Sequence, residues 1–445
     1  MMGMGKRRRK SQEELFVASG ELAKSPGHAF YKRLNKLLTE CDFDAAIERA
    51  CEPYYKANRG RDSIAPGTYF RMLFVGYFEA IESQRGIAWR CADSLSLREF
   101  LGVKLTEATP DHSTLSKTRD RLPIGVHELA FRLVLAAAAE RGLLKGKTLG
   151  VDSTTLEADA AMRSIVRKES GEDWKAYVKR LMQEAGEVTE DEEPTDEEIR
   201  RFDKKRKKKK VSNAEWESPT DPDARIAKLK DKRTHLAYKL EHAIDLDSEL
   251  IVAAEVYHAD HSDSQTLADT TMSARTHLAE AGREEVYEEV VADKGYHAAE
   301  QLELVQGLNV RTYVPEPERR GQSRLGEKPP EVQRAVKGNR RRTKTEKNSR
   351  LQRLRSERVE RSFAHVCDTG GARRTRLRGI EKVRKQTLIT AAARNLGLLM
   401  RKLFGIGKPR ALQGLLGSLL NQLATALQAV IKLIRLVAAR RSTGC

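Results

Sequence analysis

Three acidic side chains, far apart in the chain, occupy positions from which they could meet in one pocket. Asp152 follows the short apolar run of residues 148–151, and Asp293 follows a second strand-like run over residues 286–292. Glu360 lies in a stretch whose apolar residues recur at helical spacing, so that this helix could dock on a sheet. Converging carboxylates repel one another unless a cation compensates, and their hard oxygen atoms favour magnesium.

The chemistry expected of such a group is phosphodiester cleavage or transfer. Two divalent ions about 3.5–4 Å apart can activate an attacking water or 3′-hydroxyl and stabilise the leaving oxygen. Asp152, Asp293 and Glu360 are therefore the candidate catalytic and metal-binding residues, for Mg²⁺ or Mn²⁺ and for two ions. An Asp after a strand often serves only as a turn or helix cap, and the spacing alone leaves both interpretations open.

The elements that must position these residues change in character along the chain. Strands alternate with helices after residue 146, which predicts an α/β fold with a mixed sheet flanked by helices and a functional edge at strand ends. The residues before it carry mostly helical periodicity. The predicted parts are a basic disordered arm (1–25), a helical DNA-binding domain (26–144), a catalytic domain (145–400) with a charged insertion (about 160–232), and an amphipathic helical tail (401–445).

The charge balance indicates a polyanionic partner. Lys and Arg number 82 against 64 Asp and Glu, a formal charge of +18, which makes nucleic acid the first candidate. Lys117 and Arg119 lie on a short polar helix after residues 110–113, which is either the second helix of a helix-turn-helix or an ordinary surface helix. The lysine run 204–210 is either a solvated, self-neutralised charge run or a DNA contact.

Neither secretion nor membrane insertion is indicated. The five cysteines are scattered without a CxxC pair, and the basic run 6–10 precedes no apolar stretch. Residues 411–431 lack charge, but several polar residues interrupt them and their apolar residues recur at helical spacing. This predicts an amphipathic helix packed on protein, with a second subunit as one candidate, rather than a membrane span. A cytoplasmic, nucleoid-associated protein is expected. The His and Asp residues within 258–263 are interpreted as a polar loop rather than a metal site.

Short motifs in a fixed order carry a family resemblance that covers most of residues 100–410. Three of them contain the candidate carboxylates, and the others lie between or after them: GVDST (150–154), THLAYK (234–239), ADKGY (292–296), RVERSF (358–363), RLRG (376–379) and AAARNL (391–396). Together they resemble the DDE transposases of bacterial insertion sequences, which have a ribonuclease-H-like core. In that family, the residues matching Asp152, Asp293 and Glu360 are the metal ligands.

The resemblance implies DNA as partner, both the transposon ends and the target, and a homodimer or larger synaptic assembly. Relatives often carry Tyr, Arg and Lys around the glutamate, at offsets where this chain has Arg353, Ser356 and Cys367. The phosphate-holding role is then expected of basic residues nearby, together with a contact role for the basic run after the helix: Arg358, Arg361, Arg373, Arg374, Arg376 and Arg378. Two alternatives stay open: a nuclease on the same core, and a catalytically inactive DNA-binding regulator.

Overall fold

The computed structural model describes residues 27–56, 63–144, 146–189, 191–206, 211–228, 233–283, 287–318 and 324–409. The predicted arm over residues 1–25 lies outside them, as do residues 410–445, which include the predicted amphipathic segment 411–431. Residues 207–210 of the lysine run also lie outside the described ranges.

The first part of the described chain is helical, as predicted. α3 begins at Pro66, whose fixed φ and missing N–H suit the first turn of a helix. α6 begins after Asp111, whose side chain accepts a hydrogen bond from the Ser113 N–H at 2.8 Å. The helices are α1 (Ala29–Glu40), α2 (Phe43–Cys51), α3 (Pro66–Glu79), α4 (Gln84–Ala92), α5 (Leu95–Leu101), α6 (His112–Arg121) and α7 (Ile124–Glu140).

A mixed sheet follows, which confirms the predicted α/β class. The described strands are β1 (Thr148–Glu157), β2 (Val166–Arg167), β3 (Trp216–Glu217), β4 (Arg225–Lys228), β5 (Thr234–Asp245), β6 (Ile251–His258), β7 (Glu289–Val291) and β8 (Arg311–Tyr313). β2 and β3 pair with each other, and the other six form one sheet. β5 runs antiparallel to β1 and forms the predicted hairpin with β6, whereas β7 is parallel to β1 and β8 is parallel to β7. β4 pairs with the first residues of β5.

The part of the chain that the structure describes after β1 has seven further helices: α8 (Trp174–Glu184), α9 (Asp196–Lys205), α10 (Leu267–Glu280), α11 (Ala299–Gly307), α12 (Pro330–Thr343), α13 (Glu346–Thr369) and α14 (Ile380–Phe404). α8 and α9 lie within the predicted insertion, where Val178, Met182 and Ile199 form a small apolar cluster of their own.

The density of Pro, Gly, Arg and Lys in residues 315–348 predicts a loop, and α12 shows that this prediction is wrong. Pro330 supplies a helix start, and Val332, Ala335 and Val336 give the helix a buried stripe that the abundant charges obscure in the sequence. The side chain of Asn339 then fixes α12 to the end of β8, accepting from the Val314 N–H at 3.0 Å and donating to its carbonyl at 2.7 Å.

α14 connects the helical part to the sheet. It packs against α3, α7 and β6, and the Asn395 side chain accepts from the Ile251 N–H at 2.9 Å and donates to the Ile251 carbonyl at 2.7 Å. One apolar cluster extends from α1 to α14 through the strands. The domain limits drawn from the sequence remain predictions.

No single helix among the described residues is long and apolar enough to cross a membrane. α6 and α7, which meet at an angle of 100°, reach the required length and apolar content only as a bent pair.

Candidate active site

Asp152 and Asp293 lie beside each other on adjacent parallel strands. β1 and β7 are paired as far as Gly150 and Val291, and each aspartate lies two residues beyond that pair. The Ser153 N–H donates to Asp152 Oδ1 at 2.8 Å, and the Gly295 N–H donates to Asp293 Oδ1 at 2.8 Å. The polar residues after Asp152 suggest that β1 ends there, but β1 continues to Glu157 along β5. The sheet therefore opens only on the β7 side, where the second aspartate stands.

The electrostatic environment of Asp152 is that of a half-buried carboxylate held near other charges. Burial raises the pKa of Asp152 above its usual range, and the negative charge of Asp293 raises it further. The guanidinium of Arg355 and the Ser153 N–H oppose this by favouring the ionised form. The two aspartates thus lie within electrostatic reach of each other, and a cation near both would relieve their repulsion.

α13 covers this end of the sheet and brings Arg355 to Asp152. Arg355 Nη1 donates to Asp152 Oδ2 at 2.7 Å. One turn earlier, the Gln352 side-chain amide donates to the carbonyls of Ala292 (3.1 Å) and Tyr313 (2.9 Å), so that the helix is fixed directly before Asp293.

The same helix is anchored further along by a buried histidine. His242 lies on β5 directly opposite Asp152, and its Nδ1 shares a hydrogen bond of 2.9 Å with Ser362 Oγ. The imidazole also stacks on the Phe363 ring, with centroids 4.3 Å apart and planes 11° apart. Burial, aided by the positive charge of Arg394, lowers the pKa of His242 to about 3. The contact is therefore made by a neutral imidazole.

Glu360 does not join the two aspartates in this structure. It is exposed, and Ser356 Oγ donates to its Oε1 at 2.9 Å. The helix explains this, because five residues separate Glu360 from Arg355 and rotate its side chain by roughly 140° away from the direction of Asp152. Among the described residues, no group of three His, Cys, Asp or Glu side chains is arranged to hold a metal ion. The role of Glu360 as a ligand stays a prediction.

A charged network that the sequence interpretation missed adjoins the aspartates. Asp263 Oδ1 accepts a hydrogen bond from Ser153 Oγ at 2.7 Å and forms an ion pair with Lys239 Nζ at 2.9 Å. Lys239 Nζ also lies 3.1 Å from Glu241 Oε2, and both side chains are buried. A Cβ on Gly295 would lie 3.0 Å from Asp293 Oδ1 and 3.2 Å from Asp263 Oδ2, so this glycine lets the two carboxylates approach the same backbone.

A signal for this network was present in the sequence. Lys239 and Glu241 are two residues apart on β5 and therefore project from the same face, and charged side chains that a fold buries require partners inside it. In the sequence alone, Asp263 belongs to the polar segment 258–263, which is interpreted as a loop. Two residues of that segment face elsewhere: His258 Nδ1 contacts the Asp223 carbonyl at 2.8 Å, and Asp260 lies 3.9 Å from Arg225.

The basic residues predicted to contact DNA are placed differently from one another. Lys117 and Arg374 are exposed, Arg358 is half-buried, and Arg119 is only 3% exposed, so its side chain is not on the outer surface. The remaining four are exposed but paired with carboxylates: Arg361 with Glu249 and Glu357, Arg373 with Asp368, Arg376 with Glu82, and Arg378 with Asp159.

A cavity of about 340 Å³ lies between the helical part and the sheet. Arg119, Arg374 and Arg376 line it, and Leu156 and Leu240 form part of its wall. These two leucines project from the same face of the sheet as Asp152. Leu156 is four residues after Asp152 on β1, and Leu240 on β5 lies opposite Thr154, which is two residues after Asp152. Neither Asp152 nor Asp293 lines the cavity.

Comparison with known protein families gives two matches. Residues 21–121 match a transposase domain of the DUF772 type, and residues 213–396 match a transposase DDE domain. The second match includes Asp293 and Glu360 and begins after β1, which carries Asp152. It implies a ribonuclease-H-like core, in agreement with the mixed sheet. No curated protein and no solved structure matches the chain.

Proposed function

Since the chain belongs to the DDE-type insertion-sequence transposases, we propose that it binds the ends of its own element, cleaves the DNA strand there and joins the freed 3′-hydroxyl to target DNA. The family establishes a DNA transposase in general terms, whose relatives use divalent metal ions. Each particular step on DNA belongs to the proposal, as do the identity of the metal, Mg²⁺ or Mn²⁺, and the number of ions, two.

One observation supports the catalytic part above all others: Asp152 and Asp293 stand side by side beyond the paired ends of β1 and β7. Their oxygen atoms are the donors that Mg²⁺ and Mn²⁺ prefer, and their mutual repulsion is relieved when a divalent cation is bound. A bound divalent cation would lower the pKa of an attacking water or hydroxyl and stabilise charge on the leaving oxygen. Within the protein, the Ser153 and Gly295 N–H groups hold the two carboxylates in place by one hydrogen bond each.

Glu360 is the proposed third ligand on the strength of the family resemblance and of the DDE-domain match that includes it. The proposed DNA-binding surface consists of Lys117 on α6 and the exposed arginines at residues 361–378. Neutralised phosphates release counterions, so these contacts would contribute salt-dependent affinity without reading sequence. The assembly is proposed to be a dimer or larger, because two element ends must be brought together.

Neutralising the carboxylates one at a time tests the assignment. Asp152→Asn, Asp293→Asn and Glu360→Gln are compared on linear DNA that carries the element ends, with Mg²⁺ or Mn²⁺, for end binding, strand cleavage and strand transfer. Each should retain end binding within about twofold and lose cleavage by at least about a hundredfold. Asp247→Asn is the matched control, because Asp247 is exposed in the turn between β5 and β6.

Each other outcome has a definite meaning. Substantial cleavage by Asp152→Asn or Asp293→Asn would refute the catalytic assignment, and cleavage by Glu360→Gln would remove Glu360 alone from it. Wild-type protein that cleaves without strand-transfer products would be a nuclease. Wild-type protein that binds ends and never cleaves would be a regulator.

A further inference from the structure

Arg355 has a side chain that is enclosed by the site itself. It is 11% exposed, and its Nη1 donates to Asp152 Oδ2 at 2.7 Å. Its Nε lies 3.3 Å from the Oε1 of Gln352, whose amide is fixed on the carbonyls of Ala292 and Tyr313. The guanidinium is thus held from two sides, by a catalytic candidate and by a residue anchored directly before Asp293.

Its hydrogen-bonding capacity is only partly used. A guanidinium offers five N–H groups in a planar fork, and Nη2 of Arg355 has no hydrogen-bond partner within the described part of the chain. Two parallel N–H groups match two oxygen atoms of a phosphate better than they match one oxygen of a carboxylate. Arg355 therefore has a donor left for an anion entering the space beside Asp152.

Two of the other candidate cations are paired with carboxylates away from Asp152. Arg361 lies on the same helix and pairs with Glu249 and Glu357, and Arg376 pairs with Glu82. Ser356, which stands at the offset where relatives often carry Arg, donates to Glu360 and has no charge. Among the described residues, Arg355 alone forms an ion pair with Asp152.

We propose that Arg355 holds the scissile phosphate, and that it pairs with Asp152 only until DNA and a divalent cation arrive. This inference rests on the proposed function. A cation bound at Asp152 would compete electrostatically with the guanidinium for the same carboxylate, because each interaction uses its negative charge. The incoming phosphate gives Arg355 a second anionic partner, so Asp152 is released to the metal when the substrate is in place. Arg355 is then a catalytic residue that contacts the substrate, and substrate binding promotes metal binding.

The exchange predicts opposite effects of one substitution on two measurements. In Arg355→Gln without DNA, Mn²⁺ should bind about tenfold more tightly, because the competing charged hydrogen bond is gone. Bound Mn²⁺ is measured by the loss of the free-ion electron paramagnetic resonance signal. With element-end DNA, kcat for cleavage should fall about a hundredfold while end binding stays within about twofold. A merely structural role would weaken both properties together.

Two further variants complete the experiment. Arg355→Lys keeps the charge without the fork, so it should retain near wild-type Mn²⁺ affinity and recover only part of the cleavage. Arg350→Gln is the matched control, since Arg350 is exposed on the same helix. Unchanged or weaker Mn²⁺ binding by folded Arg355→Gln, or cleavage within about threefold of wild type, would overturn the inference. Failure of the proposed function looks different, because wild-type protein itself would then not cleave DNA.

Discussion

The neutral imidazole under α13 leads to a prediction about acid stability. His242 is 1% exposed, and its pKa is lowered to about 3 from an unfolded value near 6.5. A depressed folded pKa means that the unfolded chain binds the proton first, so the stabilising contribution is complete above pH 6.5 and declines as the pH falls toward 3. Between pH 7 and pH 4.5 the lost contribution is about 2–3 kcal/mol, from roughly 1.4 kcal/mol per pH unit over roughly two units.

The test compares wild type with His242→Phe in urea unfolding followed by circular dichroism at both pH values. Phe keeps a ring against Phe363 and cannot titrate, so the variant should lose about 2–3 kcal/mol less than wild type between pH 7 and pH 4.5. His127, whose pKa burial also lowers to about 3, is present in both proteins and supplies a common background. Equal losses in the two proteins would show that His242 does not remain neutral, and would refute the reasoning.

Two substitutions test how the site is packed. Gly150→Ala would place a Cβ 2.6 Å from Leu246 Cδ2 and 3.3 Å from Val359 Cγ2. It should therefore lower the free energy of unfolding in urea by about 1–3 kcal/mol and displace α13. Gly307→Ala is the control, because an added Cβ there meets no atom within 4 Å, and equal losses in the two variants would contradict the prediction. Asp263→Ala removes one of two carboxylates from buried Lys239 and should lower the free energy of unfolding by about 1–3 kcal/mol. Asp260→Ala, at a weakly paired exposed position, should lower it by less than about 0.5 kcal/mol. An unchanged stability of Asp263→Ala would show that the charged network does not stabilise the fold.

The sheet was predictable because its strands obey local rules. β5 and β6 are runs of strand-forming residues separated by a polar turn, and β7 and β8 are short runs with Val, Thr or Tyr. α12 was not predictable in the same way, because its apolar stripe is only three residues wide among many charges. Its position depends on the contact between Asn339 and Val314, which no local pattern reveals.

The candidate site divides along the same line. Asp152 and Asp293 could be found because each follows a short apolar run in the sequence, and the parallel pairing of these two runs brings the residues after them together. Arg355 and Asp263 reach this site from a helix and from a loop, respectively. Their partners lie 203 and 110 residues away in the chain, and only the packing of α13 and the β6–α10 connection on the sheet brings them close.

A shift of one residue on α13 has a large effect on what the helix presents to the sheet. Adjacent residues on a helix differ by about 100° in direction, so the arginine at 355 and the serine at 356 cannot face the same neighbour. Arg355 faces Asp152, and Ser356 faces Glu360. If the chain retains transposase chemistry, its phosphate-binding cation has moved to a different face of the helix from the one that relatives often use. The same rotation turns Glu360 away from the aspartates while Arg355 is paired with Asp152. Release of Arg355 to a phosphate would remove one of the contacts that hold the helix in this orientation, whereas those of Gln352 and Ser362 would still keep it on the sheet.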